Sequence, residues 1–584
     1  MSAEAIRKLV AAAEESPYYM DPTKGLIATI TTAKGDDEVS EHIKISGPFD
    51  VLNRVRNANG EGWARLLRFR DADGRYHTYP VSDAALHGDA KALCAELASR
   101  GLEITTVSKY RTHLIHYLNQ DDNPDRATEV PTTGWHEVRD EKIFVLPEQI
   151  IGASKQKVIV RGALENSPFE AQGTLADWKA GVGSLVAGHV RAVFEVSAAL
   201  SAPLLSLLGM EGGGFHFYGR SSMGKTTLVK AAASVWGKGG SDPGFVRSWR
   251  STANHLEAVA AIHTDTILPL DELGVVEAKE AASAVYSLAS GVGKGRASRE
   301  GYARRSLTWR VIILSTGEVR LTDKLLEDRR KPRVGQQVRL VDIPADSKHG
   351  FGVFDTAGAD GSSQILADKI RAAAQTHYGT AGPEFVRKLI ADGDAVTIRQ
   401  MIELFRHNAP KNADSQVLRV LDRFGLAAAA GELAIQFGIM PWPIGAAIEA
   451  AKACFDAWFA DRGGAGAGED MAAISQVRLF IERHGEARFE PIGTSNDALA
   501  IRDRAGWRRG DGDAREWLIP PETWKAEVCA GHNGTEAAKA LAERGMLRPD
   551  SDGSYSRPER IQRGQKPTRV YVVTMKIMTE ESNK

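Results

Sequence analysis

Gly219-Arg-Ser-Ser-Met-Gly-Lys-Thr226 matches the pattern G-x4-G-K-T without a mismatch. The glycines let the backbone curl so that the N–H groups of Gly219, Ser221, Ser222, Met223 and Gly224 converge on phosphate oxygens. A helix opening near Thr227 adds the positive end of its dipole. Lys225 is then placed to reach the β and γ phosphates of a nucleoside triphosphate, and the Thr226 hydroxyl to ligate magnesium. The flanks agree: apolar Phe215–Tyr218 reads as a strand before the loop and Thr227–Trp236 as a helix after it. ATP and Mg2+ are the expected ligands.

Such a loop needs a second strand ending in carboxylates, and Thr266-Ile-Leu-Pro-Leu-Asp271-Glu272 supplies one. Asp271 is expected to contact the metal through its water shell and Glu272 to polarise the attacking water. A Glu directly after the metal Asp favours hydrolysis over transfer to a bound acceptor. Pro269 deletes a ladder hydrogen bond, so a local bulge is expected there. The apolar run Val311–Ser315 leads to Thr316, the first choice for a sensor of the γ phosphate, with Ser315 second. Arg339 opens a further strand and is placed to act on a neighbouring subunit's phosphates; the alternative is a surface arginine paired with Asp342.

Between carboxylates and sensor lies Gly291-Val-Gly-Lys294-Gly-Arg296-Ala-Ser-Arg299-Glu-Gly-Tyr-Ala-Arg-Arg305. Glycines at both ends suggest a hairpin, and Glu300 is its only acid. Lys294, Arg296 and Arg299 could hold a DNA backbone by charge without reading bases. The competing reading turns these cations toward the nucleotide, a neighbouring subunit or water.

The elements that must position these groups follow from the rest of the chain. A length of 584 residues implies two to four domains, and 43% hydrophobic with 26% charged residues excludes a largely disordered chain. The net charge of −1 excludes a polycation that coats nucleic acid unselectively, so any DNA contact must be local. Cys94, Cys454 and Cys529 are too few and too dispersed for a zinc knuckle or disulfide framework, which fits a reducing cytoplasm. The first residues carry no signal-peptide pattern. Ala192–Met210 contains Glu195 and Pro203 and reads as a buried helix pair and not a membrane span.

The fold expected is α/β, with five parts: an α+β domain over 1–130, a connecting α/β segment over 131–200, a P-loop ATPase core over 201–350, a helical lid over 351–462 and a winged-helix-like domain over 463–584. In the first, Trp63–Phe69 and Tyr76–Pro80 form a hairpin through Asp71-Ala-Asp-Gly74, which lacks the closing Glu of a calcium loop. Asp89–Gly101 is helical and Asn119–Thr133 reads as a linker. Alternating strands and helices from Gly212 to Pro344 predict a mostly parallel sheet. The glycine run 463–468 reads as a flexible joint. The last part has a helix burying Ile474, Val477 and Ile481, a helix capped by Thr535, the strand Arg569–Thr574, and a basic loop with Arg557, Arg560, Arg563 and Lys566.

Gly134-Trp135, Phe144-Val-Leu-Pro147, Gly173–Trp178, the phosphate loop, Ser248-Trp249-Arg-Ser-Thr252-Ala-Asn254-His-Leu-Glu257, Leu270–Leu273, Gly293–Arg296 and Leu314–Glu318 closely resemble the domain-of-unknown-function 927 family, over roughly 45–460. That family is similar to the AAA+ replicative helicases of phages, plasmids and other mobile elements, including cassette helicases related to the MCM group. The resemblance implies a homo-hexameric ring that hydrolyses ATP and moves along single-stranded or forked DNA, with separate primase or replication proteins as partners and no membrane. It makes Arg339 the trans-acting arginine and Arg419 a lid sensor. Two departures stand out: many relatives carry a primase or zinc-binding region upstream whereas this chain has no CxxC pair, so primer synthesis in cis is not expected, and Ser-Thr replaces the Asn common at the sensor. The alternative functions are an ATP-gated DNA-binding loader or switch that does not unwind, and a defence or structural ATPase acting on protein.

Overall fold

The computed structural model describes residues 16–34, 37–160, 167–240, 244–294, 296–297, 303–304, 306–327, 339–411, 413–462, 468–492, 501–561 and 566–579. Two compact units emerge, Met1–Glu170 with Ala261–Asp265, and Ala171–Ala260 with Thr266–Lys584.

In the first unit, β1 (Tyr18–Asp21), β2 (Gly25–Lys34) and β3 (Asp37–Ser46) form an antiparallel meander. β4 (Phe49–Asn57), β5 (Ala64–Arg70) and β6 (Tyr76–Ser82) continue antiparallel. The turn between β5 and β6 is the expected hairpin: the Asp71 carboxylate accepts the amides of Asp73 and Arg75, and Gly74 takes φ +80°. Helix α1 (Ala90–Ser99) is N-capped by Asp89, and α2 (Arg111–Gln120) follows. The expected linker is not one. It contains β7 (Arg126–Val130), which pairs in parallel with β4 and lies second in the sheet β11-β7-β4-β5-β6. β8 (Gly134–Val138), β9 (Glu141–Val145) and β10 (Ile150–Ile151) form a small antiparallel sheet before β11 (Lys157–Val160). Leu26, Leu67, Phe69, Leu97 and Leu114 fill this unit's main core.

The second unit opens with α3 (Leu175–Trp178), capped reciprocally by Thr174 and Asp177. Next comes α4 (Val190–Leu208), one continuous buried helix where a pair was expected. Pro203 cannot donate to the carbonyl of Ala199, and the indole N–H of Trp236 takes that carbonyl instead at 2.9 Å. This replacement lets the helix run through its proline. α4 is long and apolar enough to cross a membrane, yet here it is core.

On α4 follow β12 (Gly213–Tyr218), α5 (Lys225–Ala233), β13 (Arg247–Ser248), α6 (Ala253–Ile262), β14 (Thr266–Asp271), α7 (Ala278–Ser290), the small pair β15 (Arg296–Ala297) and β16 (Ala303–Arg304), β17 (Val311–Gly317), α8 (Leu321–Leu326) and β18 (Leu340–Pro344). The sheet has the order β13-β14-β17-β12-β18, and every pairing is parallel. The expected parallel sheet is therefore present, and β12, β14 and β17 are buried along nearly their whole length.

Five helices, α9 (Ser363–Thr376), α10 (Ala381–Asp392), α11 (Ala395–Phe405), α12 (Ser415–Gln436) and α13 (Ala446–Arg462), occupy the stretch expected to be helical. Residues 463–467 of the expected joint lie outside the described residues. Beyond them α14 (Gly468–His484) buries Ile474, Val477 and Ile481. β19 (Phe489–Pro491), β20 (Gly506–Arg509), β21 (Glu516–Ile519), β22 (Arg557–Glu559) and β23 (Thr568–Thr574) form a sheet in the order β19-β20-β21-β23-β22. α15 (Gly534–Glu543) is capped by Asn533, whose side chain accepts the amides of Thr535 and Glu536, and not by Thr535 as expected. In the basic loop Arg557 is paired with Glu559 at 3.0 Å, and Arg563 lies outside the described residues.

Glu195 lies in the middle of α4 with no exposed surface, and neither carboxylate oxygen has a hydrogen-bond partner among the described residues. Burial raises its pKa well above the ordinary 4.5. The folded state therefore keeps a proton that the unfolded chain has already lost, so this term is fully favourable below pH 4.5 and is lost as pH rises. Glu195→Gln removes that pH-dependent loss. Melting curves at pH 5 and pH 8 are expected to show the advantage of the Gln variant widening by about 2 °C or more at the higher pH.

Candidate phosphate-binding site

β12 delivers the chain to Gly219 at the carboxyl end of the parallel sheet, where open α/β folds bind their ligands. Ser222 at φ +63° and Gly224 at φ +96° turn the loop so that α5 begins at Lys225. A Cβ on Gly224 would stand 2.9 Å from Val353, so the position excludes side chains sterically as well as conformationally. The Lys225 ammonium donates to the carbonyls of Gly219 at 2.8 Å and Arg220 at 2.6 Å. Burial lowers its pKa, and the carboxylates of Glu318 and Asp271 oppose that shift.

Asp271, at the end of β14, gathers the site. Its Oδ1 accepts from the Thr226 hydroxyl at 3.3 Å, from the Glu272 amide at 3.1 Å and from the Thr316 hydroxyl. Glu272 is exposed at the rim with φ +64°. A non-glycine residue held there costs about 1–3 kcal/mol and marks a position that function or packing imposes. An open cleft of ≈ 1250 Å³ is lined by residues 220–227, Asp271, Glu272, Thr316 and Glu318, among others. The loop residues Ser221, Ser222, Met223, Gly224, Lys225, Thr226 and Thr227 thus share one cleft with both carboxylates, while Gly219 contributes its carbonyl to Lys225.

The two sensor candidates part company. Thr316 reaches Asp271, whereas Ser315 is wholly buried, accepting from the Trp249 indole at 2.9 Å and meeting His216 Nδ1 at 2.8 Å. His216 Nε2 lies 3.0 Å from the Val319 carbonyl, which can only accept. That fixes the proton on Nε2, leaves Nδ1 as acceptor and makes Ser315 the donor to it. Burial lowers the His216 pKa, in keeping with a neutral ring.

The bulge expected at Pro269 is absent: β14 pairs with β17 in unbroken register from Thr266 to Leu270. The Asp271 carbonyl points toward the β13 side, where the Trp249 amide donates to it at 3.1 Å. Two residues earlier Pro269 faces the same way, and β13 pairs only from Leu270 onward, so the missing N–H falls beyond the end of β13.

Arg339 stands at the start of β18, the end of the sheet opposite the phosphate loop, with its guanidinium 5.3 Å from the Tyr286 ring centroid. Asp342 does not pair with it, since that carboxylate accepts the amides of Leu321 and Thr322 and the Thr322 hydroxyl. Arg419 is exposed near the start of α12, one turn before half-buried Arg423. The Arg423 guanidinium packs against Gly213, again at the far end of β12. Neither Arg339 nor Arg419 lines the cleft. Arg371 of α9 does, donating to the Thr227 hydroxyl at 3.3 Å, and the sequence reading missed it. So did it miss Glu318, which sits one residue past the sensor strand.

Arg296 and Arg304 are register partners in the antiparallel pair β15–β16, so a hairpin exists where the glycines suggested one. Lys294 is exposed at its base, and Arg299 lies outside the described residues.

The fold and the cleft define a mixed α/β protein with a glycine-containing loop at the carboxyl end of its parallel sheet. The family model described as Domain of unknown function (DUF927) matches residues 18–308, and over that half of its length the chain belongs to this family. The match begins earlier than the quoted motifs and ends before the sensor strand. A solved structure described as "SCCmec type IV Cch - active helicase" is similar over 96% of this chain and 99% of its own, with a TM-score of 0.72 and 18% identity. No curated protein matches the chain.

Removing the Ser315 hydroxyl strands the Trp249 N–H and His216 Nδ1 in a dry interior. Ser315→Ala is expected to destabilise by about 1–3 kcal/mol in chemical denaturation. Thr316→Ala leaves Asp271 two donors and the open cleft, and is expected to cost clearly less.

Proposed function

We propose that the chain is an ATP-hydrolysing AAA+ motor, a ring-forming DNA helicase or translocase of the cytoplasm that serves replication of a phage or other mobile element. One observation carries this reading: Lys225, Thr226, Asp271, Glu272 and Thr316, drawn from one helix, the end of β14 and β17, line one cleft. The strand order, with β17 between the phosphate-loop strand and the carboxylate strand, supports the AAA+ class. The helices α9–α13 suit a lid, the last sheet with α14 and α15 a winged-helix-like domain, and the fold likeness to a protein described as an active helicase agrees.

The residues fit a magnesium nucleotide. Thr226 and Asp271 already share a hydrogen bond, and Lys225 is parked on two carbonyls that it can exchange for phosphate oxygens. Thr226 and Asp271 would hold magnesium, which would neutralise phosphate charge there. Glu272 orients a water and accepts its proton as the water oxygen bonds to the γ phosphorus; the bond to the bridging oxygen breaks, giving ADP and phosphate. Thr316 is placed to sense the γ phosphate, and Arg371 fits a nucleotide contact in cis. Arg339, at the opposite end of the sheet, suits a neighbour's phosphates in a hexamer. Lys294 and Arg296 suit single-stranded or forked DNA, with separate primase or replication proteins as partners.

Glu272→Gln is expected to keep ATP binding while slowing hydrolysis by about 10²-fold or more. Arg339→Ala and Lys225→Ala are each expected to be inactive alone, and to regain activity when mixed, since one supplies the arginine and the other the intact nucleotide site. Failure of the mixture to exceed either variant removes Arg339 as the trans residue. For DNA, titration against salt tests the hairpin: Lys294→Ala is expected to reduce the slope of log K on log salt by about 0.7 on single strands. An unchanged slope assigns the contact elsewhere.

A further inference from the structure

The cleft and the hairpin are joined by a chain of contacts that neither the phosphate chemistry nor the DNA contact requires. At its cleft end, Trp249 donates its amide to the carbonyl of Asp271 at 3.1 Å and its indole N–H to Ser315 at 2.9 Å, so it is fixed to both the carboxylate strand and the sensor strand. Three residues later Thr252 caps α6, its hydroxyl accepting the His255 amide at 3.3 Å and its carbonyl the Leu256 amide at 3.0 Å. The next residue on that helix is Glu257, 2% exposed.

A carboxylate so deeply buried must find donors. Glu257 finds them in two other segments: the Ser287 hydroxyl of α7 at 2.8 Å, and the backbone amide of Lys294 at 3.4 Å. Gly293 lets it approach, because a Cβ there would lie 3.2 Å from Oε2. The base it grips is well formed. Gly293 donates to Leu307 at 2.8 Å, Trp309 to Gly291 at 2.9 Å, and the Trp309 indole to Leu288 at 2.8 Å. Glu257 therefore holds the base of the hairpin at Lys294, where its positive charge begins.

We infer that Glu257 is a positioning residue that couples the state of the Asp271 site to the base of the basic hairpin. A shift of β14 or β17 on nucleotide binding moves Trp249, Trp249 carries the start of α6, and α6 moves the hairpin through the Glu257 carboxylate. Calling the hairpin a DNA contact rests on the function proposed above; the coupling itself does not.

Hydrogen exchange on the full chain, without DNA, tests it. In the wild type a slowly hydrolysed ATP analogue is expected to change exchange of amides 291–294 and 306–309 by about fivefold. In Glu257→Ala that difference is lost, while KM for ATP and DNA-free turnover stay within about twofold. Glu257→Gln keeps the volume and the Ser287 bond but carries one fewer acceptor, so it is expected to retain part of the difference and provides the test if the Ala variant is unstable. A full nucleotide-dependent difference in both variants, or none in the wild type, overturns the inference. Stimulation of ATP hydrolysis by single-stranded DNA is read separately: if the wild type lacks it while the exchange difference behaves as stated, the DNA reading fails and the coupling stands.

Discussion

The carboxylate of Asp271 must accept from Thr226, Thr316 and the Glu272 amide at once, and most of the second unit is arranged by that requirement. Two of the donors come from α5 and β17, each 45 residues from Asp271, and the third is the amide just past β14. A parallel sheet in which β17 lies between β14 and β12 solves this, since all three strands then end on the same edge. Hydrogen bonds to a charged group contribute about 1.5–3 kcal/mol each, enough to hold the three segments in register before any ligand arrives. Glu272 pays for its place with a left-handed backbone, and the amide bond to Asp271 helps to hold it there.

Beneath this polar edge lies a second, neutral layer. His216, Ser315, Trp249 and the Val319 carbonyl form a buried chain in which every donor has one acceptor. Its direction is set by the carbonyl at one end and the indole at the other, so it has a single proton arrangement. Such a layer lets Thr316 face the cleft while its neighbour Ser315 anchors the strand. Two adjacent hydroxyls thus do different work because strand geometry turns them to opposite faces.

The loop after β12, the acidic pair at the end of β14 and the apolar strand β17 were legible as elements that meet in one cleft, because each is a short local pattern. The features misread depend on distant partners. Pro203 argued for two helices, and the compensation is an indole 33 residues beyond the proline in Trp236. The stretch containing β7 looked like a linker because Asp121, Asp122, Asn123 and Pro124 precede it, yet a place beside β4 awaited it. Thr535 was as good a cap by type as Asn533, and only backbone geometry chooses between them. Arg371 gave no signal at all, being one cation in a helix that carries others.

The positions of the remaining arginines bear on how such a unit works. Arg371 lies in the cleft, while Arg339 and the start of α12 lie at the far end of the strands. Within one chain, a cation at the amino end of β18 cannot meet a phosphate held at the carboxyl end of β12. On the proposed reading this separation is useful, because a neighbour stacked edge to edge would bring its cleft to that cation. Hydrolysis then depends on the assembly and not on the single chain. The contact of Arg339 with Tyr286 strengthens the logic, since Tyr286 belongs to α7, the helix that Glu257 ties to the hairpin base. Arg339 and the base of the basic hairpin therefore both rest on one helix, α7.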